Sequence, residues 1–150
     1  MCYEVREADI LVSCDPQMLD VDRIHAFLTR SYWAEGVSRE TVVRSIENSI
    51  SFGLYIDGEQ VGFARVISDR ASYAYLADVY VEERYRGKSL SKLLLQAVLA
   101  HPELQELRRW ILGTRDAHGL YRQFGFTELK VPERWMEKAG PDLYKGDSGQ

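Results

Sequence analysis

The sequence predicts a mixed α/β fold, a central sheet with helices on both faces. Three observations carry that prediction. Residues 73–81, Tyr-Ala-Tyr-Leu-Ala-Asp-Val-Tyr-Val, are almost continuously apolar, with Asp78 the one charge, as suits a strand covered on both sides. A basic glycine turn, residues 84–89, leads from it into a segment whose Leu90, Leu93, Leu94, Ala97, Val98 and Ala100 fall mostly on one helical stripe. Residues 109–114 then read as another strand, and a strand, helix and strand in that order close as a right-handed parallel crossover.

The remaining elements follow from local chemistry. Residues 10–14 are a first short strand, broken at Asp15-Pro16. Leu19, Val21, Ile24, Phe27 and Leu28 recur at helical spacing, with Asp20 or Asp22 at the start and an end near Ser31. Residues 32–36 form a loop bearing Tyr32 and Trp33, and Ser38 caps a second helix carrying Thr41, Val42 and Ile46. Residues 51–56 and 60–68 are strands joined by the hairpin turn Asp57-Gly58, so residues 51–81 make a three-strand antiparallel meander. The third helix spans residues 89–100 and ends at His101-Pro102. A short helix at residues 117–124 is closed by Gly125. Residues 126–131 read as a further strand, and residues 134–138 as a candidate for one more beyond Pro132.

Composition narrows the function class. A chain of 150 residues fits one domain, which buries roughly 68–70% of its unfolded surface. Hydrophobic content of 45% and charged content of 28% are those of a soluble globular protein. A net charge of −4 argues against nucleic acid as the partner. Cys2 and Cys14 make neither a disulfide framework nor a metal cluster, so free thiols in a reducing compartment and no metal are expected. Nothing reads as a membrane span or a signal peptide, which makes the cytoplasm the expected location. The polar C-terminal residues are expected to be mobile. The apolar pair Trp135-Met136 is a candidate homodimer surface.

The turn at residues 84–89 carries the chemistry. The first N–H groups of a helix have no partner within it, and the helix dipole adds about half a positive charge there. A phosphate group can take both, Gly87 lets the backbone approach closely, and Arg84, Arg86 and Lys88 add charge. An ordinary turn with solvated basic residues fits the local pattern equally well. In open α/β sheets ligands sit beyond the carboxyl ends of parallel strands, which puts this turn and Thr114 on one rim.

Two stretches together resemble the GNAT superfamily of acyl-CoA-dependent N-acetyltransferases. Val79-Tyr80-Val81 followed by Arg84-Tyr85-Arg86-Gly87-Lys88-Ser89 is similar to that family's acetyl-CoA motif. Residues 117–126, with Ala117, the Leu120-Tyr121 pair and Gly125-Phe126, are similar to its later motif. The resemblance covers nearly the whole chain. It implies a mixed, mostly antiparallel sheet of about six or seven strands with a splayed parallel pair, flanked by about four helices. Two departures stand out: Ser89 and Ser91 occupy positions where the family has Gly or Ala, and Thr114 stands where it often has Asn. Serine is a good helix-start residue, but it costs stability and cofactor affinity if the backbone there needs φ > 0.

The resemblance implies acetyl-CoA as acyl donor, with the backbone of Val79 and Val81 pairing with the pantetheine amides. The N–H groups of Arg86, Gly87, Lys88, Ser89 and Leu90 would hold the pyrophosphate, helped by Arg84, and Thr114 would bond the cofactor arm. Tyr121 would lie by the sulfur and protonate the leaving thiolate. With a phenol at ~10 and a thiol at ~8.5, complete transfer is uphill by roughly 2 kcal/mol, so a hydrogen bond is the firmer role. Without the resemblance, a buried core tyrosine at helical spacing beside Leu120 and Phe124 is the favoured reading of Tyr121. An alkylamine of pKa ~10.4 costs about 4–5 kcal/mol to deprotonate at pH 7, so a base is expected. Asp78, a lone carboxylate in an apolar strand, is the candidate; a hydrogen-bonded structural Asp is the alternative. His118 and His25 read as surface and core residues. Tyr32, Trp33, Asn48, Arg65 and Tyr75 are candidates for an acceptor pocket suited to a small-molecule or peptide amine. The expected activity is direct acetyl transfer to a primary amine in a ternary complex. A non-catalytic acyl-CoA-binding or sensor module on the same fold is the alternative.

Overall fold

A computed structural model gives the structure of the chain and describes residues 3–141. Cys2 and the C-terminal residues expected to be mobile lie outside the described residues. Six strands, β1 (Glu4–Glu7), β2 (Ile10–Ser13), β3 (Ile50–Ile56), β4 (Glu59–Ser68), β5 (Tyr73–Val81) and β6 (Arg109–Ile111), form one sheet in sequential order. Every neighbouring pair is antiparallel except β5 and β6, which run parallel. Four helices flank the sheet: α1 (Val21–Leu28), α2 (Arg39–Glu47), α3 (Leu90–Leu99) and α4 (His118–Arg122). The mixed α/β class and the parallel crossover from β5 through α3 to β6 are as the sequence predicts.

The first two helices begin where local chemistry favours it. The Asp20 carboxylate accepts from the Arg23 N–H at the start of α1, and the Ser38 hydroxyl accepts from the Thr41 N–H at the start of α2. α1 and α2 bury Ile24, Leu28, Val42 and Ile46 against Phe63 and Tyr80 on one side of the sheet. α3 buries Leu90, Leu94, Leu95 and Val98 against Phe52, Leu54, Val66 and Leu76 on the other. β5 therefore contributes to two cores, Tyr80 to one and Leu76 and Val81 to the other, which is why it reads as continuously apolar. In the β3–β4 hairpin Asp57 and Gly58 both have positive φ, 51° and 83°, the type I′ geometry whose twist matches the strands.

Three expectations are corrected. β1 was not foreseen: its residues are mostly charged and exposed, and it holds to β2 through the backbone as an edge strand. The strand expected over residues 109–114 stops at Ile111. No strand forms among the described residues after β6; residues 132–134 make one 3-10 turn instead. The reason is local. The Phe126 N–H bonds back to the Tyr121 carbonyl, its ring packs edge-on to Tyr121 at 5.9 Å, and Glu128 pairs with Arg122. The segment is thus tied to α4, and Pro132 has no N–H to offer a ladder.

One glycine is held by close approach. A Cβ on Gly53 would lie 2.2 Å from the Tyr55 hydroxyl oxygen and 2.5 Å from its Cζ, because the buried Tyr55 ring folds back along its own strand face over the glycine. Gly53→Ala is expected to cost about 2 kcal/mol through overpacking and to lower Tm by about 4–8 °C in thermal unfolding. An unchanged Tm would show that the ring does not rest there.

Candidate active site

The site is built on a splay in the sheet. β5 and β6 are in register only at Tyr73–Arg109, Ala74–Trp110 and Tyr75–Ile111, and β5 then runs on to Val81 alone. On its other edge β5 carries a bulge: Phe63 faces Tyr80 and Arg65 faces Ala77, so Asp78 and Val79 together oppose Ala64. Asp78 takes the extra turn with φ 55°, a conformation in which Asp is among the better tolerated residues. Past the bulge the Glu82 N–H donates to the Val61 carbonyl at 2.8 Å. Peptide groups alternate along a strand, so those of Val79 and Val81 face the open edge that β6 has left. The Arg86 Nε donates to the Val81 carbonyl across that edge at 3.0 Å.

The turn into α3 bends through two left-handed residues, Gly87 at φ 81° and Ser89 at φ 62°. Ser89 occupies the N-cap position, yet its side chain makes no capping bond. Of the two outcomes open for Ser89 the structure gives the costly one: the backbone there does need φ > 0, and serine carries that cost without a side-chain capping bond. Leu90 is buried beneath the turn, while Arg86, Gly87 and Lys88 are exposed. A hollow of about 300 Å³ opens here between Val81, Arg86, Gly87, Ser89 and Lys92. Arg84 lies 4.9 Å from the Tyr85 ring centroid, Lys88 5.8 Å, and the Tyr85 hydroxyl donates in turn to Glu59. The basic side chains thus cluster on Tyr85 beside the hollow, which the first residues of α3, whose amides lack partners within the helix, also line.

A cleft of about 490 Å³ lies where β5 and β6 part. It brings together Tyr32, Trp33, Arg65, Tyr75, Asp78, Val79, Thr114 and Tyr121. Asp78 is held on both carboxylate oxygens, one by the Trp33 indole N–H at 2.8 Å and the other by the Arg65 Nε at 2.8 Å. Arg65 also donates to the Ser49 hydroxyl at 3.0 Å. The Thr114 hydroxyl accepts from the Ala117 N–H at the head of α4. Burial, and then the nearby Tyr32, push the Tyr121 phenol up to about 12. Asn48 is not part of this set: it is exposed at the end of α2, and its amide nitrogen donates to the Arg44 carbonyl. His25 bonds the Val37 carbonyl at 2.9 Å, and His118 is exposed at the first residue of α4.

Sequence reasoning missed Arg115. Its N–H donates to the Tyr32 hydroxyl at 3.0 Å and its guanidinium lies 3.9 Å from the centroid of that ring. The α1–α2 loop is thereby fastened to the β6–α4 loop across the cleft. No local pattern signals a contact between residues so far apart in sequence; only the β5–β6 crossover juxtaposes them. Among the described residues no group of three His, Cys, Asp or Glu side chains could hold a metal ion, and no helix is long and apolar enough to cross a membrane.

The chain shares its fold with known proteins. A crystal structure of a GNAT-family protein from Xanthomonas campestris pv. campestris superposes with a TM-score of 0.87 at 48% identity, covering 90% of this chain and 96% of that one. A GNAT-family acetyltransferase from Elizabethkingia anophelis, solved with acetyl-CoA bound, shares the fold at a TM-score of 0.64 and 12% identity, over 91% of each chain. In sequence, the chain is 34% identical over 86 residues to the spermine/spermidine N(1)-acetyltransferase of Bacillus subtilis (strain 168), covering 49% of this chain and 57% of that protein. The family model described as "Acetyltransferase (GNAT) family" matches residues 18–126, and the chain belongs to that family.

Proposed function

We propose that the protein transfers the acetyl group of acetyl-CoA to a primary amine by direct attack in a ternary complex. One observation carries the reading: the open peptide edge of β5 at Val79 and the phenol of Tyr121 meet in one cleft, next to the amides that begin α3. The residues fit the cofactor. The head of α3 would take the diphosphate, Val79 and Val81 would pair with the pantetheine amides, and Thr114 would bond the arm from the other wall. Acetyl-CoA supplies the acyl group in activated form, as a thioester. The Bacillus relative named for polyamines supports an amine as acceptor.

Within the cleft Asp78 accepts a hydrogen bond from the acceptor's N–H and so aims the nitrogen lone pair. A carboxylate has about four lone-pair positions, and Trp33 and Arg65 use two. The neutral amine nitrogen bonds to the acyl carbon, the C–S bond breaks with its electron pair going to sulfur, and the proton that nitrogen sheds passes by way of Asp78 to solvent water, from which the released thiolate takes one up. Tyr121 donates a hydrogen bond to that sulfur. Because its phenol lies near 12, complete proton transfer to a thiolate of ~8.5 would be uphill by about 5 kcal/mol, so stabilisation by the hydrogen bond is the role assigned. The experiment is thiol release from acetyl-CoA over a panel of amines, with the acetylated amine identified by mass spectrometry. Equimolar thiol and acetyl-amine support the reading. CoA binding without turnover of any amine favours a non-catalytic binding module.

Ser89→Gly tests the cofactor turn. An L-residue in the left-handed region costs about 1–2 kcal/mol, and glycine's greater unfolded freedom returns about half of that. The variant is expected to gain about 0.5–1 kcal/mol, raising Tm by about 1–4 °C, and to bind CoA about 2–4-fold more tightly by calorimetry. Unchanged CoA affinity in Ser89→Gly would remove this turn from the cofactor site.

A further inference from the structure

The acceptor cleft carries apolar surface that the protein leaves open. The large hydrophobic side chains exposed among the described residues are Met18, Tyr32, Trp33, Ile67, Tyr75 and Met136. Tyr32, Trp33 and Tyr75 line this one cleft, at 44%, 40% and 41% exposure. Ile67, 44% exposed, is the direct cross-strand partner of Tyr75 and lies two residues from Arg65, so it extends the same face of the sheet outward from the cleft. Open apolar surface concentrated at one concave place marks a binding site.

The charges of the cleft, in contrast, cancel. Its lining holds Arg65 and Asp78, paired at 2.8 Å, and Arg115 and Asp116, 3.9 Å apart. Both oxygens of Asp78 already accept hydrogen bonds. A polyamine would bring, besides its reacting nitrogen, further ammonium groups that keep their charge at neutral pH. The lining offers those charges no unpaired carboxylate, and taking them out of water without one is unfavourable.

We infer that the acceptor is a primary monoamine on an uncharged apolar body: the nitrogen sits beside Asp78 and Tyr121, and the body leaves over Tyr75 and Ile67. This rests on the acetyltransferase reading above and narrows it, away from the polyamines for which the Bacillus relative is named.

The test compares kcat/KM for 2-phenylethylamine, ethanolamine and spermidine at saturating acetyl-CoA, read by thiol release. 2-Phenylethylamine is expected to exceed each of the others by about tenfold or more, the effect of burying several apolar carbons. Ile67→Ser and Tyr75→Ser replace exposed side chains, so their Tm is expected to stay within about 2 °C of the parent. Each is expected to reduce the 2-phenylethylamine-to-ethanolamine ratio of kcat/KM by about 3–10-fold, chiefly through KM. Spermidine as the better substrate, or ratios unmoved in both variants, overturns the inference and leaves the acetyltransferase reading standing. No thiol release from these three amines, with turnover of another amine in the panel, overturns the inference alone; CoA binding with no turnover across the whole panel removes both. A dimer in sedimentation velocity that Ile67→Ser dissociates would assign the patch to a second copy of the chain and likewise overturn the inference.

Discussion

Tyr121→Phe is expected to lower kcat about 100-fold while KM for acetyl-CoA stays within about twofold. The phenylalanine keeps the ring that packs edge-on to Phe126, so α4 and its closing turn stay in place. What is lost is one O–H donor in a cleft between two strands, which on the proposed mechanism serves the negative charge developing on sulfur. A donor needed only at that moment affects kcat and not the binding of the donor substrate. The pH profile adds a second readout. A hydrogen-bond donor must keep its proton, and a phenol pushed up to about 12 by burial keeps it across the working range. Activity is therefore expected to rise with pH as the acceptor amine loses its proton, with no fall assignable to Tyr121 below about pH 11. A Tyr121→Phe enzyme with undiminished kcat would return Tyr121 to the role of a core tyrosine.

Tyr121 also shows where sequence reading reaches and where it stops. Its position followed from the Leu-Tyr pair ahead of Gly125, and the meander, the Asp57-Gly58 turn and the crossover followed from periodicity and turn chemistry. These are local or near-local signals. The expectation that the turn at residues 84–89 and Thr114 share one rim came from topology alone. What escaped depends on three-dimensional partners. Asp78 stands out in sequence as an isolated charge, but nothing there announces that Trp33 and Arg65 hold both of its oxygens. Asn48 was placed in the pocket by its position near the second helix, and its side chain turns instead to its own helix end. Residues 126–131 read as a further strand, but a strand needs an adjacent edge, and Phe126 is already committed to α4. Ser89 was recognised as a departure, and only the backbone angle decides that the departure is a cost.

Arg65→Met is expected to destabilise the protein by about 2–4 kcal/mol and to lower Tm by about 4–16 °C. Surface ion pairs contribute little, commonly under about 1 kcal/mol, but this one is not at the surface. Its side chains are 15% and 11% exposed, and Arg65 spans from the β5 bulge to Ser49 beyond α2. Removing the guanidinium leaves the Asp78 carboxylate inside the cleft with the Trp33 N–H as its remaining partner from the network described. That carboxylate sits on a residue at φ 55°, a conformation maintained by its surroundings. The loss should therefore reach function as well: the bulge that turns Val79 toward the open edge loses its anchor, and kcat/KM for the amine should fall about tenfold or more. Asp78→Asn separates charge from shape. Asparagine tolerates the left-handed conformation and can still accept from Trp33, so Arg65→Met combined with Asp78→Asn removes the stranded charge while keeping most of the geometry. The double variant is expected to be more stable than Arg65→Met alone by about 1 kcal/mol or more, measured by denaturant unfolding at fixed pH. Equal stability of the single and double variants would mean that Arg65 acts by packing its aliphatic stem, and that Asp78 is not the group the network is built to hold.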